Sequence, residues 1–303
     1  MKNNKNPYYI YNLLSINRIG PVLINKIFSN RENSLFNYDE KLELDLFKSI
    51  LSNYLSSLQM QEFSSKDTNL ENYIKELSDK KSKFITILNK NYPKLLLQAL
   101  KNSAPPILSY IGNINLLKSV GVGFCGSRKA SQKGLNATRD LVEQLVENKI
   151  VIISGYASGV DNEAHHTALV NNGSTIIVLP TGLLNFKIKK SLEQIWDWDR
   201  VLVLSEFIPN TQWSVSRAMQ RNKTIIGLSK AMVLIESSRS GGSMDAGIRT
   251  LEMNRKLYTP IYQNMPEFAV GNKILLKKGA FRILKHESTG KANTANLINH
   301  IGL

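Results

Sequence analysis

Two patterns of apolar spacing divide the chain. From residue 8 to 80 apolar positions recur at helical intervals, with no clear strand among them. The stretch LLSINRIGPVLINKIF (Leu13–Phe28) sets Leu14, Ile16, Ile19, Leu23 and Ile27 around an Ile-Gly-Pro turn, which predicts a helical hairpin. A helix-hairpin-helix that contacts DNA has this form, because its Gly turn lets backbone N–H groups meet a phosphate. A plain hairpin has it too. The polar stretches SSKDTN (64–69) and LSDKKSK (77–83) read as loops leading to a second domain, so the expected division is 1–80 helical and 81–303 core.

Beyond residue 118 the pattern changes to short apolar runs separated by helix-patterned segments. The runs are VGVGFCG (120–126), IVIISG (150–155), STIIVLP (174–180), RVLVLSE (200–206), AMVLIES (231–237) and KLYTPIY (256–262). Their poor period-2 alternation predicts strands buried on both faces of a parallel sheet. A regular βα repeat of this kind means a doubly wound α/β fold with a mostly parallel sheet. FITIL (84–88) and GNKILL (271–276) read as two further strands of that sheet.

In GVGFCGSRKASQKG (121–134), Gly121, Gly123 and Gly126 satisfy the GxGxxG expression. A dinucleotide fingerprint needs its glycines in the turn after the strand, and an acidic residue ending the next strand to hold ribose. Here two of the glycines lie within the strand, and the next strand ends in Ser154-Gly155, so no NAD or FAD is expected. What remains is a strand tip offering the Ser127 hydroxyl, the Arg128 guanidinium and helix N–H groups near Ser131, a set that suits an oxyanion. Ser131 also reads as a simple N-cap.

Ligands of open α/β sheets sit beyond the carboxyl ends of the strands. Read in order, those ends are GSR, SGYASGVD, PTGLLNFKIKK, SEF and ESSRSGGS, every one carrying Gly or Ser. The candidate DNA- or phosphate-binding residues are Ser127, Arg128, Lys129, Ser154, Gly155, Lys187, Lys189 and Lys190. Arg217, Arg221, Asn222 and Lys223 from SRAMQRNK join them, with Arg239, Ser240, Gly241, Gly242 and Ser243. Tyr156, Phe186 and Trp213 are candidate stacking platforms for bases, or else core residues. Asp161 and Glu163 read as helix-capping acids. Adjacent His165 and His166 cannot share a helix face as zinc ligands would, so a structural histidine is expected.

Charge sharpens this picture. Lys plus Arg number 39 against 24 acidic residues, a formal +15, which favours a polyanionic partner. A codon-driven lysine excess would scatter, and would not select Arg beside Gly-Ser turns. The single cysteine, Cys125, excludes an internal disulfide and a Cys-based zinc cluster, fits a reducing compartment and reads as a small core residue. No run approaches the ~18 apolar residues of a membrane span, and no leader is evident, so a cytoplasmic protein without membrane association is expected. No Ser-His-Asp order or catalytic carboxylate pair stands out, so no catalytic residue, cofactor or metal is expected.

Six segments in order resemble the DNA-processing protein A (DprA/Smf) family. They are YPKLLLQALKNSAPPILSYIGN (92–113), GSRKAS (126–131), SGYASGVDNEAHHTAL (154–169), SEF (205–207), RNKTIIGLSKAMVLIESS (221–238) and SGGSMDAGIRTLEMNR (240–255). The resemblance implies an extended Rossmann-like domain, without NAD, behind a small all-helical domain. It implies single-stranded DNA binding, a homodimer, and loading of a RecA-type recombinase during DNA recombination and natural transformation. By position it puts Arg128, Arg221 and Lys223 in the DNA groove, with Lys187 or Lys189 at the family's basic position after the third strand. Lys223 stands where the family has a second Arg, keeping the charge but losing the bidentate fork. An alternative is a nucleotide sensor or nucleoside-monophosphate hydrolase of a related Rossmann-like family, although SGGSMDAG lacks that branch's Pro, Gly-Thr and nearby Glu.

Overall fold

The computed structural model describes residues 6–29, 44–65, 68–262 and 267–302. The chain forms two compact units. The first comprises Met1–Ile111, Thr181–Phe186 and Ser205–Gln212; the second comprises Gly112–Pro180, Lys187–Leu204 and Trp213–Leu303.

In the first unit, helices α1 (Asn6–Ser15) and α2 (Pro21–Ser29) form the expected hairpin. Its turn passes through Arg18 at φ +65°. Pro21 opens α2, where its missing N–H costs nothing. Of the five apolar positions whose spacing predicts the hairpin, Ile16, Ile19 and Ile27 are buried and Leu14 and Leu23 only half-buried; Leu13 and Ile24, beside them, take the fully buried places. They share a core with residues of α3 (Leu44–Leu51) and α4 (Ser57–Ser64), notably Phe47, Leu51 and Phe63. A reciprocal Ser56–Gln59 capping box starts α4. Gln59 Nε2 also donates to the Asn17 carbonyl, so one polar group of the hairpin turn is already engaged. A second small core joins Ile10 and Tyr11 to Leu70 of α5 (Thr68–Asp79) and to Ile107.

Of the segment SSKDTN expected to be a loop, Lys66 and Asp67 lie outside the described residues, and Thr68 and Asn69 already begin α5. Strand β1 (Lys83–Thr86) carries the start of FITIL and pairs antiparallel with β2 (Ile107–Gly112); the short helix α6 (Lys94–Leu100) lies between them in the chain.

The second unit carries the α/β core. Its strands are β3 (Gly121–Cys125), β4 (Val151–Ser154), β5 (Thr175–Val178), β6 (Val201–Ser205), β7 (Ala231–Leu234), β8 (Lys256–Pro260) and β9 (Phe281–Ile283). They stand in the order β6-β5-β4-β3-β7-β8-β9, and neighbours are parallel throughout. Every residue of β3 to β7 is buried, which explains why these strands read as continuous apolar runs. The connections are α7 (Gln132–Glu147), α8 (Val160–Val170), α9 (Lys190–Glu193), α10 (Val215–Leu228), α11 (Gly242–Glu252) and α12 (Val270–Lys277), and α13 (Ala295–Ile301) follows β9. On α7, Thr138, Leu141, Val142 and Leu145 make one buried face at helical spacing, packed over Val122, Phe124 and Ile152.

One expected strand is corrected. GNKILL (271–276) lies within helix α12, and β9 takes the position at the sheet edge. The reason is a tertiary contact: buried Asn272 accepts from Ser237 N–H at 3.0 Å and donates to the Ile235 carbonyl at 2.7 Å. Only a helix sets Asn272 and Leu275 on one buried face.

Candidate nucleic-acid interface

The order of the strands fixes where a ligand can enter. Strands β4, β5 and β6 follow one another on one side of β3, whereas β7, β8 and β9 lie on the other. The switch point therefore falls between β3 and β7. A crevice of about 410 Å³ opens at their carboxyl ends. Its walls come from the turn Gly126–Arg128, from Ala157, from Val215, Met219 and Asn222 of α10, from Ser240–Ser243 and from Phe268.

Close approach of two turns builds this crevice. Gly159 has φ +71°, and a Cβ there would collide with the Ser127 carbonyl. Val160 N–H donates to that carbonyl at 3.2 Å. Ser243 Oγ donates to the Gly126 carbonyl at 2.8 Å, tying the start of α11 to the same turn. Helix α11 begins at exposed Gly241-Gly242 with no side-chain cap, so its first N–H groups face solvent.

The helix beside Ser131 differs from expectation. Ser131 caps α7, its Oγ accepting from Gly134 N–H at 3.0 Å. The buried Glu236 carboxylate then accepts from the Ser131 hydroxyl and, at 2.8 Å, from the Ser131 N–H. An internal anion already occupies the position where a ligand oxyanion was expected. The anion-receptive helix start at this crevice is that of α11.

The basic candidates separate by depth. Arg128, Lys129, Lys187, Lys190 and Arg239 are exposed, as is Ser240, and Arg217, Asn222 and Lys223 are half-buried. Arg128 lies 5.4 Å from the Trp213 ring centroid, and Trp213 is 48% exposed. Asn222 Nδ2 reaches the Gly242 carbonyl at 3.5 Å. Arg221 is different. It is only 5% exposed, and its Nη1 donates to the Val178 carbonyl at 2.6 Å. A Cβ at Gly155 would collide with both its guanidinium and the buried Asp161 carboxylate, so Gly155 serves this packing. Arg221 reaches the crevice from below and does not project from it. Ser154 is fully buried, donating to the Phe124 carbonyl at 2.8 Å, and so offers nothing to a ligand. Ser127 Oγ accepts from Lys129 N–H at 3.1 Å, which stiffens the turn.

Among the aromatic candidates, Tyr156 is engaged by Lys189, whose ammonium lies 4.4 Å from its ring, and Phe186 belongs to the first unit. Phe268, 44% exposed on the crevice wall, was missed in the sequence because no motif surrounds it. Asp161 accepts from the Ala157 N–H at 3.2 Å, and Glu163 is paired with Arg139. Burial lowers the Lys189 ammonium, with the Asp161 charge opposing. Burial raises the Cys125 thiol, with the Asp161 charge adding to the effect, as fits a core residue. Among the described residues no three His, Cys, Asp or Glu side chains group as a metal site. No helix among them is long and apolar enough to cross a membrane.

His165 is structural, as its position predicts. It is buried, with Nε2 at 2.5 Å from the Gly155 carbonyl and Nδ1 at 2.7 Å from Thr175 Oγ1. Since a carbonyl only accepts, Nε2 carries a proton. Desolvation brings its pKa down to about 4.

Residues 83–292 match the family model described as DNA recombination-mediator protein A. The chain belongs to that family. The DNA processing protein DprA of Streptococcus pneumoniae is 36% identical over 179 residues, 58% of this chain and 63% of that protein. The match thus spans less than two thirds of the length of the pneumococcal protein. The X-ray structure of the pneumococcal protein superposes with a TM-score of 0.74 at 28% identity, covering 91% of this chain and 93% of that one. DNA processing protein A of Helicobacter pylori, a family member with a single-stranded DNA binding mode, superposes with a TM-score of 0.59 at 27% identity. That match covers 72% of this chain and 94% of the other.

Two outcomes follow from the buried charges. Arg221→Ala strands Asp161 and should lower unfolding free energy by about 3 kcal/mol or more, whereas exposed Arg128→Ala should change it by less than about 0.5 kcal/mol; urea denaturation of both variants measures this. His165 is depressed on folding, so its contribution is full above pH 6.5 and is lost as pH falls towards about 4. That loss is about 3 kcal/mol over the window, and His165→Asn should flatten the acid limb of stability against pH accordingly.

Proposed function

We propose that this chain is a non-catalytic single-stranded DNA-binding protein that protects the strand and hands it to a RecA-type recombinase. It acts as a homodimer in the cytoplasm, with a helical domain to about residue 80 and a Rossmann-like core beyond. Family membership supports the recombinase, dimer and cytoplasmic parts of this reading. One observation carries the DNA part. Exposed Arg128 and the uncapped start of α11 line one crevice at the strand tips, and exposed Lys129 and Arg239 adjoin its lining residues along the chain, while the acids beneath are spent on internal donors. A cationic track with N–H donors suits the phosphates of an unpaired strand, and Trp213 and Phe268 offer faces to its bases.

The proposed contacts are Ser127, Arg128, Lys129, Lys187, Lys190, Arg217, Asn222, Lys223 and Arg239–Ser243. Arg221 and Gly155 support them from below. A second reading, a nucleotide sensor, draws on the crevice volume, which lies in the range of small-molecule sites. Binding of AMP with no competition by oligothymidylate would favour it.

The test is a salt titration with single-stranded oligonucleotides. Log affinity should fall linearly with log salt, by about 0.7 per phosphate neutralised, and Arg128→Ala and Lys223→Ala should each flatten the slope by about one contact. Salt-insensitive binding, or a preference for duplex, contradicts the proposal.

A further inference from the structure

The loop after β4 and the segment leading into α9 are clasped by two side chains. Lys189 Nζ donates to the Ala157 carbonyl at 2.9 Å, and the ammonium lies 4.4 Å from the Tyr156 ring centroid. The Tyr156 hydroxyl accepts from the Lys189 backbone N–H at 2.9 Å and donates to the Lys187 carbonyl at 3.3 Å. On the far side of the loop, Asp161 holds the Ala157 N–H. Lys189 therefore spends its charge on a carbonyl, an aromatic face and the field of a buried carboxylate. Lys187 and Lys190, its neighbours in the same segment, are exposed.

The clasped loop is also the support of the anion-facing turn. Ala157 lines the crevice. Two residues later, Gly159 packs against the Ser127 carbonyl and Val160 N–H bonds to it. The next residue of that turn is Arg128, stacked on Trp213. Contacts thus run without a break from Lys189, through 156–160, to the guanidinium at the crevice mouth.

We propose that Lys189 is a positioning residue for DNA binding, holding the Arg128 turn through the Tyr156–Ala157 loop, and does not itself contact phosphate. The inference rests on the single-stranded DNA reading for its binding readout only; its structural readout needs no DNA. Turning Lys189 outward to a phosphate would break its hydrogen bond to the Ala157 carbonyl and its contact with the Tyr156 ring, and the exposed lysines beside it carry no such cost.

The test labels the chain with 5-fluorotryptophan and follows the Trp213 resonance, assigned with Trp213→Phe. Lys189→Met should shift that resonance, Lys189→Arg should restore it, and Lys187→Ala should leave it in place. Tyr156→Leu removes the same clasp and should reproduce the shift, which keeps the test decisive where Lys189→Met does not fold. In salt titrations with single-stranded DNA, Lys189→Met should weaken binding at every salt concentration with an unchanged slope. An unmoved Trp213 resonance in both clasp variants overturns the proposal, as does a slope that falls by about 0.7 on losing Lys189. If the unaltered chain binds no single-stranded DNA, the DNA reading fails while the fluorine spectrum still decides the positioning role.

Discussion

Two carboxylates buried beneath the strand tips, Asp161 and Glu236, govern what the surface above them can do. A buried acid must be matched by donors or cations. Glu236 takes its donors from Ser131 at the start of α7; Asp161 takes a loop N–H and lies beside the Arg221 guanidinium. The Glu236 bonds tie the turn after β7 to that after β3, and Val160 N–H on the Ser127 carbonyl ties in the turn after β4, whose own shape Asp161 holds. These commitments also absorb the inner cation, and the outer ones face solvent. A formal charge of +15 does not by itself say which of these cations are buried and which exposed.

The same logic separates residues that look alike in one dimension. Arg128 and Arg221 both sit beside motifs of the family, yet one stacks on an exposed Trp213 and the other bonds to the Val178 carbonyl under Gly155. Lys187 and Lys189 are two residues apart, and only the second folds back onto Ala157. On the proposed reading, binding by the outer set is electrostatic and sensitive to salt, and the inner set contributes rigidity. A preorganised turn lowers the ordering cost of binding, which is how the proposed positioning role of the inner residues would act on affinity without contact.

Much of the fold was legible because a strand buried on both faces leaves a continuous apolar run, as β3 to β7 do. GNKILL misled for the same reason. Its apolar content fits a strand, and what makes it helical is Asn272 reaching Ser237 and Ile235 from far along the chain. Strand β9, with three residues, is too short to carry a period. At the candidate site, three of the five glycine- and serine-bearing strand ends, GSR, SGYASGVD and ESSRSGGS, supply residues of the crevice wall, and PTGLLNFKIKK and SEF supply none. Depth was not legible: nothing local separates buried Ser154 from exposed Ser240, or announces Phe268 on the crevice wall. Glu236, which closes the start of α7, lies more than a hundred residues from the serine it holds.

The most direct measurement is a hydrogen-exchange footprint of the chain with and without a short single-stranded oligonucleotide. The account predicts protection concentrated at 126–130, at 213–223 and at 238–244, the three segments that meet at the carboxyl ends of β3 and β7. Protection centred instead on the amino-terminal ends of those strands, or spread evenly over the lysines of the whole surface, would contradict it.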